Sequence, residues 1–353
     1  MTPKEPNRKT IVAVLASHDS IQKNNELVTL FRELWDSDHA GLLKQFHFLF
    51  TGGTFRRIVL GEDAAQPPRP ELKRLEPDEL RELLMANSTV LPDRRQGGVT
   101  ILADVIVNRQ CSLIWTFLSP ITAHWLSPEN MALMRLCDIW KVKRLMNAES
   151  VRGWFRDEAK RDVCRNRQQI PLSLDGNPQA LHARTELAKK GAKPYYEIRL
   201  PARKRPNPAF WAKVQSQSLA LIANDSLKAR IVDFAVEYEN ELCQFQRILT
   251  TEATGREVEG SCRKLRECGR IRKYLPGPKG GDIEIATEIL LGRCHVVIFF
   301  VDPWSSHAHI DDIRVVFSAC MAEIENNCVR MLTNELDARE WIEETVRQPS
   351  AGE

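Results

Sequence analysis

Between residues 276 and 312 the chain gathers side chains suited to acid–base chemistry. Asp282 closes the glycine-rich turn P-G-P-K-G-G-D and opens a helical stretch. The apolar run at 295–301 then leads into D-P-W-S-S-H-A-H-I-D-D, which carries Asp302, His307, His309, Asp311 and Asp312. Carboxylates and imidazoles can take up and return protons near neutral pH. In open parallel α/β sheets, ligands sit beyond the carboxyl ends of strands, so these groups would converge on one small polar ligand. Enzyme chemistry on an anionic metabolite is therefore the first function class to consider. Asp282 also reads as a helix N-cap, a role compatible with catalysis.

Such groups need elements to aim them, and the chain repeats one order of elements twice. Residues 10–17 (T-I-V-A-V-L-A-S) form an apolar strand followed by His18, Asp19 and an amphipathic helix; residues 218–223 (S-L-A-L-I-A) are followed by Asn224, Asp225 and another helix. Next come strands at 46–50 and 246–249, ending in T-G-G-T and T-T-E-A-T-G. The turn-and-helix segments G-G-V-T-I-L-A-D-V-I and G-G-D-I-E-I-A-T-E-I lead to buried strands ending in Pro, S-L-I-W-T-F-L-S-P and H-V-V-I-F-F-V-D-P. A helix and a short strand ending in Asn close each copy. This correspondence reads as an internal duplication. Strands that are apolar throughout and alternate with helices imply parallel sheets covered on both faces. The expected architecture is two tandem doubly wound, Rossmann-like α/β domains at 9–157 and 215–348. The charged, Pro-rich stretch 158–214 reads as a tail and linker.

Bulk composition bounds the function classes. The 353 residues are too many for one ordinary core and suit two domains. With 43% hydrophobic and 27% charged residues the chain is globular rather than disordered. A net charge of +3 gives no case for nucleic acid, and the basic cluster from Lys189 to Arg205 is interleaved with Pro and Gly, as in a solvated linker. Nine cysteines without a C-x-x-C pair point to reduced thiols in a cytoplasmic setting, and no His/Cys spacing suits zinc. The polar N-terminus does not read as a targeting peptide, and no apolar run reaches the ~20 residues of a membrane helix. Trp115, Phe117, Trp125 and Trp140 read as core.

Four blocks in the second copy, L-I-A-N-D-S-L-K, T-T-E-A-T-G, G-P-K-G-G-D and V-V-I-F-F-V-D-P-x5-H-x2-D, occur in order at fitting spacings. Together they resemble methylglyoxal synthase over most of residues 218–341, and the whole chain looks like two such domains in tandem. The resemblance implies a lyase that converts dihydroxyacetone phosphate to methylglyoxal and phosphate without metal or organic cofactor. It implies Asp282 as general base, His309 as the group that polarises the carbonyl or shuttles protons, and Asp312 as its orienting carboxylate. It places the substrate and phosphate cradle at Asn224, Asp225, Lys228, Thr251, Thr254, Gly255 and Gly277. Family members are often hexamers, so a trimer of fused pairs would hold the same number of sites. The family also includes the ligand-sensing domain of carbamoyl-phosphate synthetase and a domain of the enzyme that makes inosine monophosphate, so the site must decide function.

The chain departs from the family pattern at Glu252 for glycine, Ala253 for threonine, Pro276 for serine and Asn224 for histidine. The first copy keeps His18, Asp19, Thr51, Gly52 and Thr54, half of a substrate cradle. Val99 falls where the catalytic Asp is expected and Leu126 where the histidine is; Glu129 and His124 lie near the remaining positions. The first domain therefore reads as catalytically degenerate. The competing function is a non-catalytic sensor of a phosphorylated metabolite or nucleotide, and a third is a related enzyme with altered substrate.

Overall fold

The protein is described by a computed structural model covering residues 8–17, 21–62, 73–119, 127–157, 159–160, 167–169, 182–185, 195–198, 200, 213–302, 310–322 and 329–347. The chain forms two compact units, Met1–Leu200 and Pro201–Glu353. Each is built on a sheet whose central strands are continuous apolar runs, as burial on both faces requires.

In the first unit five parallel strands run in the order β5-β4-β1-β2-β3. They are β1 (Arg8–Ala16), β2 (Phe46–Thr51), β3 (Ser88–Leu91), β4 (Leu113–Phe117) and β5 (Lys143–Leu145). The principal helices are α1 (Ile21–Asp36), α2 (Asp78–Ala86), α3 (Gly98–Val107), α4 (Pro128–Ile139) and α5 (Ala148–Asp157). Val12, Val14 and Ala16 of β1 join the core formed with α1, α2 and α5. Aromatic rings dominate it: Phe31 lies 5.6 Å from Phe48 and 5.5 Å from Trp115, centroid to centroid. Trp115 and Phe117 are core, as the sequence predicts. Trp140 is not: it caps α4 half-buried, with the Arg109 guanidinium 5.0 Å above its ring. Trp125 lies outside the described residues.

The stretch expected to be tail and linker carries three further strands of this sheet, β6 (Arg167–Gln169), β7 (His182–Thr185) and β8 (Tyr195–Ile198). β8 adds parallel to β3, β7 adds antiparallel to β8, and β6 pairs antiparallel with the first residues of β1. β6 has room there because β4 joins β1 only from Val12 onward. Each is only three or four residues long and none carries the continuous apolar run of the central strands; β7 closes this side of the sheet, with β8 between it and β3. The basic cluster at 189–205 lies almost wholly outside the described residues.

The second unit repeats the order as β11-β10-β9-β12-β13, all parallel. Its strands are β9 (Ser218–Ala223), β10 (Arg247–Thr250), β11 (Ile271–Lys273), β12 (Val296–Phe300) and β13 (Arg330–Leu332). The helices are α6 (Lys228–Glu237), α7 (Glu252–Ser261), α8 (Gly281–Leu290), α9 (Ile310–Cys320) and α10 (Glu335–Ile342). Leu219, Leu221 and Ala223 face a core shared with α6, α7 and α10. On the alternate face Phe299 of β12 packs on Phe317 of α9, ring centroids 6.0 Å apart. Both units are thus doubly wound α/β domains with the same strand order. Four strands per copy are legible in the sequence; β3 and β11 are not, and β11 (I-R-K) is a half-exposed edge strand with no apolar signature.

The strand order reverses between β9 and β12, and between β1 and β4. Crevices at such reversals are where this architecture places ligands. Among the described residues, no helix is long and apolar enough to cross a membrane.

Candidate functional site

At the carboxyl ends of β9 and β12 the second unit holds a cavity of about 60 Å³. Its polar lining is Asn224, Asp225, Lys228, Thr251 and Asp282, with Gly277 contributing backbone; Ile222, Phe299 and Ile313 supply apolar wall. The same wall includes Pro276 and Ala253, two of the departures from the family pattern.

Asp282 is held by glycine geometry. Gly280 has φ of +109° and is the N-cap of α8, which makes Asp282 the second residue of the helix rather than the cap. A Cβ on Gly281 would lie 1.8 Å from the Leu275 carbonyl oxygen, so only glycine lets the helix start this close to the preceding turn. The Gly281 N–H donates to the Pro276 carbonyl (3.2 Å), and Glu284 reaches back to accept from the Leu275 N–H (2.9 Å). The result is a carboxylate only 2% exposed, in the first turn of α8, where the helix dipole favours negative charge.

Asn224 is fixed at the reversal point. Its N–H donates to the Phe300 carbonyl (3.1 Å), and its Oδ1 accepts from the Asp302 N–H (2.7 Å). Because a backbone N–H can only donate, the amide orientation is set, and Nδ2 remains as a donor at the cavity. Asp302 in turn accepts from the Ser226 hydroxyl (2.8 Å). Lys228 opens α6 and pairs with Asp225 at 2.5 Å. The lysine is mostly buried while the aspartate is 80% exposed.

Thr251 precedes α7, and its hydroxyl donates to Thr254 Oγ1 (3.2 Å). Thr254 is fully buried and lies behind the cavity, orienting Thr251 rather than lining the wall. Gly255 does not line it either. A Cβ there would meet Thr250 Oγ1 at 2.3 Å and Lys273 Cγ at 2.5 Å, so this glycine permits close packing of α7 on β11. Glu252 forms an ion pair with Arg256 one turn along α7 and is not part of the lining. The cavity therefore meets the N-terminal ends of α6, α7 and α8, a setting that favours an anion. Asp312 lies in the first turn of α9, next to the lining residue Ile313. His307 and His309 lie outside the described residues. Among the described residues no cluster of three or more His, Cys, Asp or Glu side chains could hold a metal ion.

The apolar walls Ile222, Phe299 and Ile313, and the Ser226–Asp302 contact, were not anticipated. For Ile222 and Phe299 the signal was available, since the ends of apolar strands that carry site residues also face the site; Ile313 lies on α9 and Ser226 in the turn before α6, where no strand end marks them.

The first unit repeats the backbone of this site with other side chains. The Ser17 N–H donates to the Phe117 carbonyl (3.0 Å) and the Ser119 N–H to Ser17 Oγ (2.7 Å), matching the two bonds that hold Asn224. Ser17 is thus the positional counterpart of Asn224, one residue before His18; His18 and Asp19 lie outside the described residues. Thr51 and Thr54 share a hydroxyl hydrogen bond of 2.9 Å, as Thr251 and Thr254 do. Gly98, like Gly281, sits against a carbonyl: a Cβ would lie 2.0 Å from Pro92 O. The next residue, Val99, is 1% exposed and fills the place of Asp282 with hydrocarbon. Asp93 stands where the second unit has Pro276, its Oδ1 2.5 Å from Arg56. Glu129 lies in the first turn of α4, and His124 and Leu126 fall outside the described residues.

No family model matches the chain. Among curated proteins it is similar to methylglyoxal synthase of Burkholderia vietnamiensis (strain G4 / LMG 22486), with 33% identity over 129 residues, or 36% of this chain and 92% of the relative. The enzyme of the same name from Clostridium beijerinckii (strain ATCC 51743 / NCIMB 8052) is 32% identical over 109 residues, covering 29% and 81%. That from Thermoanaerobacterium thermosaccharolyticum is 35% identical over 103 residues, covering 29% and 72%. A solved methylglyoxal synthase from Elizabethkingia anophelis NUHP1 aligns over 36% of this chain and 78% of its own, with 22% identity and a TM-score of 0.31. With about a third of its length matching nearly the whole of such relatives, the chain belongs to the methylglyoxal synthase family.

Proposed function

We propose that the second unit is a methylglyoxal synthase-type lyase acting on dihydroxyacetone phosphate, and that the first unit is catalytically inactive. One observation carries the reading: a buried carboxylate, Asp282, faces a cavity that also presents Lys228, the Asn224 amide and three helix N-terminal ends. In the proposed reaction Asp282 removes a proton from the hydroxymethyl carbon of the substrate, giving an enediolate. Collapse of the enediolate breaks the carbon–oxygen bond to phosphate, and the remaining enol tautomerises to methylglyoxal. Asn224 Nδ2 is a donor for a substrate oxygen, and Lys228 with the start of α7 stabilises the phosphate as it leaves. Exclusion of Glu252 from the lining removes the like charge that would oppose a phosphate there. His309 and Asp312 remain assigned by family resemblance to carbonyl polarisation and its orientation.

The test is to incubate purified protein with dihydroxyacetone phosphate and follow methylglyoxal and inorganic phosphate. We expect equimolar release, and Asp282→Asn at or near background. Equal traces from the two proteins would sink the lyase reading.

A sensor is the second reading, and Pro276 in the cavity wall favours it, because proline has no N–H for a phosphate oxygen. A thermal-shift screen over phosphorylated metabolites separates the two. A sensor is stabilised by a ligand it does not turn over, since a ligand bound only to the native state raises its stability.

A further inference from the structure

We infer that Cys243 and Cys268 form a dithiol site that a peroxide or a small-molecule disulfide converts into an intramolecular disulfide. The two sulfurs are 3.5 Å apart although the residues are 25 apart in sequence. A disulfide needs about 2.05 Å, so side-chain torsions have some 1.5 Å to close. Cys268 is exposed and Cys243 half-buried, whereas Cys111, Cys137, Cys262 and Cys294 are buried away from any oxidant in solvent. Oxidant thus reaches Cys268 first, with Cys243 already in contact behind it.

The backbone on either side of the pair is tied together, so the approach of the sulfurs is a property of the scaffold. Cys243 follows the helical turn Glu239–Leu242, and Cys268 ends the helix Arg263–Cys268. On one side Glu239 Oε1 accepts from the Lys264 N–H (2.5 Å), and Lys264 Nζ donates to Asn240 Oδ1 (2.6 Å). On the other, Arg270 Nη1 donates to the Phe245 carbonyl (2.5 Å) and the Gln244 carbonyl (3.2 Å). Gly269 follows with φ of +64° and open space around it, which leaves Cys268 accessible.

The chemistry balances in two steps. With hydrogen peroxide, the Cys268 thiol becomes a sulfenic acid and releases one water. The Cys243 thiol then attacks that sulfur, forming the S–S bond and releasing a second water. With oxidised glutathione, a mixed disulfide forms at Cys268 and Cys243 displaces the second glutathione thiol. Burial, and behind it the Cys268 contact, pushes the Cys243 thiol up to about 12, so Cys243 is not the thiol that meets the oxidant first, and its attack on the Cys268 sulfur depends on the 3.5 Å contact. The loop closed by this bond contains β10, Thr251 and α7. The site therefore covalently tethers the segment that forms one wall of the cavity, whether or not the cavity is catalytic.

The experiment uses full-length protein treated with hydrogen peroxide, and separately with oxidised glutathione, then blocked with N-ethylmaleimide and digested without reduction. We expect a peptide linking Cys243 to Cys268, lighter by two hydrogens than the sum of its parts, and reversed by dithiothreitol. In Cys243→Ser the sulfenic acid on Cys268 should persist and be trapped by dimedone, with at least a tenfold gain in labelling over wild type. The inference is overturned if both cysteines stay fully alkylatable after oxidation. It is equally overturned if the linked peptides pair Cys268 with another cysteine or with a second copy of the chain.

Discussion

Replacing Gly281 with alanine tests whether the turn that delivers Asp282 is set by close backbone approach. The added Cβ would sit 1.8 Å from the Leu275 carbonyl oxygen and 2.8 Å from its carbon. Both are backbone atoms, so no side-chain rotation relieves the contact, and the separation must open by about 1.6 Å to reach the 3.4 Å of ordinary contact. That movement pulls on the Gly281–Pro276 bond (3.2 Å) and the Leu275–Glu284 bond (2.9 Å). Overpacking costs about 1–3 kcal/mol and each weakened hydrogen bond about 1 kcal/mol, so we expect a loss of about 3–5 kcal/mol. In a unit of this size that is a fall of roughly 10 °C in the thermal midpoint. Asp282 is the next residue, and a displacement of ~1 Å should lower turnover by about a hundredfold. Gly260→Ala is the control: nothing lies within 4 Å of its Cβ, and it sits in α7. There alanine should be neutral or stabilising by up to ~1 kcal/mol. Urea titration with an activity assay reads both variants. A Gly281→Ala protein within ~0.5 kcal/mol of wild type and fully active would refute the reasoning.

Two further outcomes follow from other residues. Lys228→Met should lower kcat/KM by about 10–100-fold if the lysine meets a phosphate, since a hydrogen bond to a charged group is worth about 1.5–3 kcal/mol; initial rates at varied substrate measure it, and an unchanged kcat/KM would remove Lys228 from the cradle. In the first unit, burial, and behind it the charge of Lys9, hold the His47 imidazole near a pKa of about 3 against an ordinary 6.5, while His47 Nε2 bonds Thr89 at 2.8 Å. Between those values the unfolded chain binds a proton that the folded unit refuses, so stability is full above pH 6.5 and falls as pH drops toward 3. The loss should reach about 2–3 kcal/mol at pH 4.5, and urea midpoints of wild type and His47→Gln should converge on acidification.

Much of the site was legible because it sits at strand ends. Apolar strands such as 218–223 and 296–300 fix where the chain emerges from the sheet, and Asn224, Asp225 and Asp302 follow directly. The G-G-D turn was legible for a related reason: consecutive glycines before a helical pattern mark a close approach. Thr254 and Gly255 do not line the cavity because successive helix residues turn by about 100°, so Ala253 faces it while Thr254 and Gly255 beside it turn away. Linear spacing around Thr251 does not distinguish those faces. Strands β6 to β8 are not legible in the sequence because strands of three or four residues added outside the central five carry no continuous apolar run.

By itself, the sequence determined two α/β domains and a family motif set that includes Asp282. Those conclusions depend on local periodicity and residue type, which the chain displays directly. Tertiary structure decided which of the named residues share a cavity, and that Glu252 turns to Arg256 rather than inward. It also decided that Asp93 occupies, in the first unit, the place of Pro276, each carbonyl accepting from the glycine N–H that opens the helix. These depend on strand register and helix phase, which hydrogen bonding between distant segments sets and no local pattern encodes.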